Sequence, residues 1–412
     1  MKHIVIVGGG FAGVYTAKNL LKKIKGKEYH ITLISEHNYF IFTPMLHEIA
    51  TGSISRDNAV TAIHQIINHP QFTFIKAKVK NVDTKAKCVE ADVCKKKYDF
   101  LVLATGSVAN YYTLKGAEQH TLALRDLASA YKMRNKIIGQ IERADVEKDQ
   151  KKRQHLLTFI IVGGGSTGVE VAGELAQFIQ IMIKNQHKNI KSNEVKLILI
   201  HRHERILNML PGYYSKQCEK QLKKLRVSLY LDTDVQEVGN CFVIDQQKHK
   251  IEAGTIFWAV GFQPNTVLLD KKSFPVYPVD PFLRVLKQKD IFALGDCAFV
   301  DQGIGKRIPM LAQVATQQAK IVAHNILATY DKKRSMKPYV YKLQGFLLSV
   351  GDYFGVAGFT VGKTMVYFSG FFAWFVWRTI YLSKLIGFGN KVRVAVDWTL
   401  NFFYPRDTSE IE

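Results

Sequence analysis

The stretch Thr158-Phe-Ile-Ile-Val-Gly-Gly-Gly-Ser-Thr-Gly-Val-Glu-Val-Ala-Gly-Glu174 decides how this chain folds. Phe159 to Val162 is a short apolar run of the buried-strand kind. Gly163, Gly165 and Gly168 follow in GxGxxG spacing, and a helical pattern begins at Ser166 and Thr167. Each glycine answers a physical need. The first allows the tight turn, the second lets a pyrophosphate approach the backbone, and the third lets the helix pack closely on the strand. The helix N-terminus then faces the phosphates. Glu170 stands in the first helical turn. It reads either as an acid favoured at the positive end of a helix dipole or as a carboxylate aimed at whatever lies between two nucleotides.

A second copy opens the chain. Ile4 to Val7 reads as a buried strand, Gly8-Gly9-Gly10-Phe11-Ala12-Gly13 repeats the glycine pattern, and a helix is expected to about Lys23. The next strand, Ile31 to Ile34, ends at Ser35-Glu36, where an acid should accept the ribose hydroxyls. Glu36 is the acid nearest that position, although Ser35 can occupy the strand end itself. The plainer reading is a glycine-rich turn with no ligand. Strand, glycines, helix, strand and acid in that order weigh against it.

Phe72 to Val79 reads as strands of a smaller sheet, with Val79 near an adenine. Phe100 to Leu103 is a buried strand ending in the small residues Ala104, Thr105 and Gly106, which let backbone crowd a ligand. A charged helical pattern runs from Gly116 to about Lys151. In the second motif the acid-position strand, Val195 to Ile200, ends at His201 and Arg202. Basic groups there bind or tolerate a 2′-phosphate; the other reading is a solvated basic loop. Ile256 to Val260 is a further strand closed by Gly261, a third contact of the nicotinamide nucleotide. Ile291 to Asp296 returns to a strand pattern, and Asp296 at its end is placed to accept from a ribityl hydroxyl. A carboxylate buried there without a partner costs several kcal/mol. Cys297 reads as a small buried hydrophobe. Gln313 and Gln317 share one helix face and, next to Asp296, would face a flavin.

The 412 residues are enough for two or three domains, and the formal net charge of +22 calls for an acidic partner surface. Five cysteines form no CxxC pair, so neither a zinc site nor a redox dithiol is signalled, and a scattered odd set fits a reducing compartment. The apolar run from Ile4 passes straight into glycines, so no secretory signal is expected. From Tyr367 the composition changes. Aromatic and aliphatic residues mix with Arg378, Lys384, Lys391 and Arg393, broken at Gly387 to Asn390 and resumed from Lys391 to Tyr404. Each half is shorter than the about 20 apolar residues of a spanning helix. Such segments lie in the interface of an anionic membrane, with cations at the headgroups. A hairpin packed on the body or in a dimer interface is the plainer alternative.

The fold class expected is therefore α/β, with two Rossmann-like dinucleotide-binding domains and a C-terminal amphipathic helical region that anchors to a membrane. A flavin domain spans 1–115 and 275–330, a NAD(P)H domain 116–274, and an interface and membrane region 331–412. Two nucleotide folds imply two dinucleotides: a bound flavin and a reduced nicotinamide that visits it, with hydride passing between them. No dithiol or metal site is signalled for the onward electrons, and a membrane quinone needs neither.

At this point the chain resembles the type II NADH dehydrogenases, the non-proton-pumping NADH:quinone oxidoreductases of respiratory membranes. The resemblance runs through Gly8–Gly13, the stretch from Asn38 to Gly52, Ala104 to Ser107, Gly163–Glu170, Trp258 to Gly261, Gly295-Asp296, Ala312 to Gln317 and the tail from Gly370 to Tyr404. It implies noncovalent FAD, NADH as donor and homodimers. It also implies peripheral attachment to the cytoplasmic or matrix face of a respiratory membrane. It implies further that Glu170, with Gln313 and Gln317, serves the quinone. The family commonly has an acid where this chain has His201, which opens NADPH as a donor. The rivals are a soluble flavin-dependent NAD(P)H oxidoreductase with another acceptor, and a redox-sensing flavoprotein that binds nucleic acid. A disulfide reductase needs cysteines beside the flavin, and none precedes Cys88. The basic runs Lys22–Lys27, Lys95–Lys97, Lys151–Arg153 and Lys332–Arg334 are dispersed and form no recognition module.

Overall fold

Lys2–Val7, a β-branched run with no charge after its second residue, is the middle strand of a five-stranded parallel sheet in the computed structural model. The strand order is Ile291–Ala293, Phe100–Leu103, Lys2–Val7, Tyr29–Ser35, Phe72–Lys76. The structure describes all residues except 25–28, 302–307, 330–333, 352 and 411–412. Lys25 and Lys27 of the first basic run, Lys332 and Lys333 of the last, and the division expected at 330/331 lie outside the described residues. The apolar strands are buried on both faces, as a parallel sheet requires.

The chain divides into two compact units: Met1–Ile41 with Val60–Val108 and Phe262–Leu343, and Phe42–Ala59 with Ala109–Gly261 and Gln344–Glu412. The first holds the sheet above, the helices Phe11–Leu21 and Ala312–Ala328, and a small sheet with strand order Leu268–Leu269, Val79–Asp83, Cys88–Ala91, Lys95–Lys97. The second is built on another five-stranded parallel sheet, ordered Leu122–Ala123, Thr255–Trp258, Thr158–Val162, Lys196–Ile200, Val227–Tyr230. It also holds an antiparallel sheet of Gly345–Ser349, Gly355–Val361 and Thr364–Gly370, from which the chain enters the helices Phe371–Lys384 and Phe388–Phe403. The α/β class with two nucleotide-type sheets and a helical tail is as the sequence led one to expect.

Several details differ. Phe72–Lys76 is not in the small sheet but is the edge strand of the large one, paired in register with Tyr29–Ser35; the alternation of a short edge strand does not say which sheet it joins. The stretch from 116 is not one helix. It breaks into Ala117–His120, the strand Leu122–Ala123, Leu127–Val146 and Gln150–Leu156. Asp126 and Ser129 make a capping box that starts the long helix afresh. In the tail, Thr364–Gly370 is a strand, so the helix begins at Phe371 rather than Tyr367, and the second helix already begins at Phe388. Among the described residues no helix is long and apolar enough to cross a membrane.

Candidate functional site

In the first unit the glycine turn is shaped by what surrounds it. Gly8 has φ +114°, and a Cβ there would stand 2.2 Å from the Ala104 carbonyl oxygen. A Cβ on Gly13 would stand 1.8 Å from the Gly8 oxygen, so only glycine lets the helix Phe11–Leu21 sit against the turn. Around Gly10 there is open space, and the helix it precedes has no side-chain cap. Its first amide groups, including those of Phe11 and Ala12, are therefore left for an anion. Ser35 ends its strand with its hydroxyl beside Gly9, while Glu36 is exposed, 3.6 Å from Lys78 Nζ. The Ala77 amide bonds the Ser35 carbonyl at 2.9 Å, which sets Val79 at the start of the small sheet two residues on.

The late aspartate lies in the same unit. Ser107 Oγ donates to Asp296 Oδ2 at 2.7 Å, and the Thr105 hydroxyl donates to the Asn265 carbonyl. Gly106 has φ +71° with open space around it. Gln318, 2 % exposed, accepts from the Gly295 amide at 2.7 Å and fixes the turn that carries Asp296. Gln313 and Gln317 lie half-buried on the same helix, Gln317 donating to the Lys342 carbonyl at 2.8 Å. The residue tied to the aspartate turn is thus Gln318, one position beyond the pair singled out from the sequence. Its signal was present, since three glutamines lie within six residues of one helix. Cys297 is buried, with its thiol against the Leu103 and Leu294 carbonyls, as expected of a small core residue.

The second unit repeats the cradle. Gly163 has φ +114°, and a Cβ there would stand 2.4 Å from the Ala259 oxygen. A Cβ on Gly168 would stand 1.8 Å from the Gly163 oxygen, and Gly165 faces open space. The helix Ser166–Asn185, with Thr167 in its first turn, again has no side-chain cap. Gly261 lies two residues past Ala259, as Gly106 lies two past Ala104, and has φ +142°. Uncapped amides at open glycines fit the diphosphate of a dinucleotide in both units. His201 is packed under its loop, and its Nδ1 accepts the Gly164 amide at 3.0 Å. Burial, His203 and Arg202 push its pKa down to about 4, so it is neutral at pH 7. The cation of that pair is the exposed Arg202, not His201.

In this unit Glu170 belongs to a polar cluster whose other members, Arg378 apart, the sequence did not single out. Glu170 accepts from the Ser349 backbone, and burial holds its carboxyl well above the usual range, reinforced by the charges of Glu48 and Glu174. Glu174, one turn further on, is 5 % exposed. Its Oε2 receives Arg406 Nη1 at 2.9 Å and the hydroxyls of Thr51 and Ser53, each at 3.2 Å. Although burial pushes its pKa up, Arg406 and the hydrogen bonds outweigh that and bring it below the usual value. Glu48 accepts from Trp398 Nε1 at 3.1 Å. Burial and Glu174 raise its pKa to about 8, against the opposing pull of Arg378 and Arg406. Its neighbour His47 is pushed down to about 4 by burial. Arg378, expected at a headgroup, instead lies over Trp374 at 4.2 Å and Trp398 at 4.6 Å. Two acids four apart on an apolar helix were the one local sign of this cluster.

Around it the tail keeps an uneven surface. Trp374, Trp377, Val394 and Trp398 are buried, while Phe371, Phe372, Phe375, Phe388, Phe402 and Phe403 are exposed. Lys384 and Arg393 are exposed among them.

The family model of the pyridine nucleotide-disulphide oxidoreductases matches residues 2–319, and that of the NDH2 C-terminal domain matches residues 343–407. A probable NADH dehydrogenase of Dictyostelium discoideum is 30% identical, over 99% of this chain and 91% of that protein. The type II NADH:quinone oxidoreductase Ndh of Mycobacterium tuberculosis is 27% identical, over 98% of this chain and 89% of its own length. The structure of NDH2 from Plasmodium falciparum in complex with NADH shares the fold, with a TM-score of 0.88 at 21% identity and 99% of each chain covered.

Proposed function

This chain belongs to the pyridine nucleotide-disulphide oxidoreductases and, within them, to the type II NADH dehydrogenases, and from that premise we propose that it passes two electrons from NADH through noncovalent FAD to a membrane quinone without pumping protons. The observation that carries this reading is the doubled cradle: two parallel sheets, each ending in an uncapped helix N-terminus at an open glycine. FAD belongs to residues 1–115 and 275–330, NAD(P)H to 116–274, and the acceptor side to 331–412. The bound flavin supplies the step that no side chain here can perform, taking hydride from the nicotinamide and giving its electrons onward.

The chain's own residues bind, orient and protonate. Gly8, Gly10, Phe11, Ala12 and Gly13 offer amides to the FAD diphosphate. Ser35 and Glu36 take its adenosine ribose, Val79 its adenine, Ala104 to Gly106 its isoalloxazine side and Asp296 its ribityl chain. Gly163, Gly165, Ser166, Thr167, Gly168 and Gly261 hold the nicotinamide nucleotide. His201, being neutral, accepts NADH without selecting for a 2′-phosphate, and Arg202 leaves NADPH as a slower donor. Gln313 and Gln317 orient the acceptor. Burial disfavours the anion of Glu170 and holds its carboxyl well above the usual range, and Glu170 delivers a proton to the quinone. The protein works as a homodimer on the cytoplasmic or matrix face of a respiratory membrane, held by the exposed aromatic and basic tail.

The absorption spectrum during stepwise addition of NADH and then a quinone tests this. The flavin band should bleach and return. In Glu170→Gln, bleaching by NADH should persist while steady-state quinone reduction falls by about 100-fold. Unchanged quinone turnover in that variant removes Glu170 from its role.

A further inference from the structure

We propose that Glu48 stores the proton that solution must supply in each turnover and passes it to Glu170, while the Arg406–Glu174 ion pair fixes which of the three clustered carboxyls is charged. This rests on the quinone-reducing function given above and assigns it a second proton-carrying residue. The balance of NADH + H⁺ + quinone → NAD⁺ + quinol requires it. Both electrons and one hydrogen of the quinol leave NADH as hydride. The other hydrogen arrives as a proton from solution, and it needs a buried holder.

Three carboxyls share this interior with two guanidinium groups. Arg406 is committed: its side chain is 9% exposed and its Nη1 is 2.9 Å from Glu174 Oε2. Glu174 is therefore the standing anion, held also by Thr51 and Ser53. That leaves Glu48 and Glu170 to carry protons. Glu48 is 2 % exposed, and among the described residues nothing bonds its Oε2, which leaves that oxygen open to take a proton. His47 beside it also keeps Nε2 unbonded among the described residues and is neutral.

The two carboxyls differ in what stands ready for their anions. Glu48 has the Trp398 N–H on Oε1 and the positive charges of Arg378 and Arg406 acting on it. Arg378 is otherwise spent on aromatic faces, with its Nε unbonded among the described residues. Glu170 has the Ser349 backbone, and burial with the negative charges of Glu48 and Glu174 pushes its proton affinity up. A proton given up by Glu170 is therefore replaced from Glu48, whose anion is the better tolerated of the two. Pairs of carboxyls whose surroundings push their proton affinities apart are how one site runs donor and reservoir together. The step breaks the Glu170 O–H bond as the quinol O–H forms; Glu170 then takes the Glu48 proton, and Glu48 is recharged from solution.

Among the described residues, two neighbouring charges have partners of their own. Arg134 of the helix Leu127–Val146 bonds Asp407, and Asp397 of the helix Phe388–Phe403 accepts from the Ser55 amide and Asn58. Tyr381 is held protonated by burial and by Glu170 and Glu48. Glu48 is protonated below about 8 and ionised above it.

The test uses full-length protein with its flavin, in wild type, Glu48→Gln and Glu48→Asp. Wild-type quinone reduction should fall as pH rises through about 8. In Glu48→Gln it should be slower by about tenfold or more and lose that alkaline limb, with bleaching by NADH still present. Infrared difference spectra across the same pH range should show a protonated-carboxyl band that Glu48→Gln lacks and Glu48→Asp displaces. If Glu48→Gln retains both the limb and the band, the proposal is overturned. If Glu48→Gln does not fold, Glu48→Asp decides, and an undisplaced band and limb overturn it. Wild-type protein that bleaches with NADH but never returns its electrons to a quinone overturns the functional reading instead, while the infrared band still reports on Glu48.

Discussion

His201 occupies the strand end at which an acid selects a free ribose hydroxyl, and its residue type alone suggests a cation there. The structure gives it a different character: Nδ1 accepts the Gly164 amide, and the ring stays neutral. With Nδ1 taken by the Gly164 amide, the neutral ring leaves an Nε2–H donor, which neither attracts a 2′-phosphate as a cation does nor pairs with the ribose as strongly as a carboxylate. His201→Asp should therefore raise the ratio of kcat/KM for NADH over NADPH by about tenfold, since one charge-assisted hydrogen bond contributes about 1.5–3 kcal/mol. An unchanged ratio would mean that the ribose does not meet this strand end. Gln318 makes the complementary point. Its type was visible beside Gln313 and Gln317, but only its bond to the Gly295 amide shows which glutamine serves the aspartate turn.

At the scale of elements, each cradle is a strand, a glycine turn and a helix that close on themselves within about twenty residues. Gly13 and Gly168 each stand where a Cβ would meet a carbonyl oxygen at 1.8 Å, far inside contact distance. Gly13→Ala should loosen the FAD half and Gly168→Ala the nicotinamide half. Each should lower stability by about 1–3 kcal/mol through overpacking. The two should part in binding: flavin content measured by absorbance falls in Gly13→Ala, whereas Gly168→Ala keeps its flavin and raises KM for NADH. Loss of flavin from both equally would contradict the assignment. These elements were legible because their glycines answer local backbone needs. The strand Phe72–Lys76 was assigned to the wrong sheet, since register with Tyr29–Ser35 is a long-range matter.

Across the whole molecule, 57 basic residues against 35 acidic ones give a surface drawn to anions. The exposed phenylalanines at 371, 372, 375, 388, 402 and 403 supply an apolar side to the same tail. On the function proposed above, charge would draw the protein to an anionic bilayer and insertion of these rings would hold it there. Replacing Phe371, Phe372 and Phe375 by Ser should weaken sedimentation with anionic vesicles by about tenfold and leave the circular dichroism spectrum unchanged. Binding should also fall with salt and be absent for duplex DNA of equal charge. A triple variant that binds vesicles as wild type does would turn attention to the hairpin as a protein interface.

The sequence by itself determined the doubled nucleotide fold and the dehydrogenase family, because strand, glycines and helix are neighbours along the chain and each glycine meets a need within its own turn. Tertiary structure alone decided which acids are buried and which are charged. Glu48, Glu174 and Arg378 come from three separate helices and Arg406 from the segment after the last one, and each taken singly reads as a solvated side chain. Their proton affinities follow from burial and from one another's charges, and those exist only once the elements have packed together.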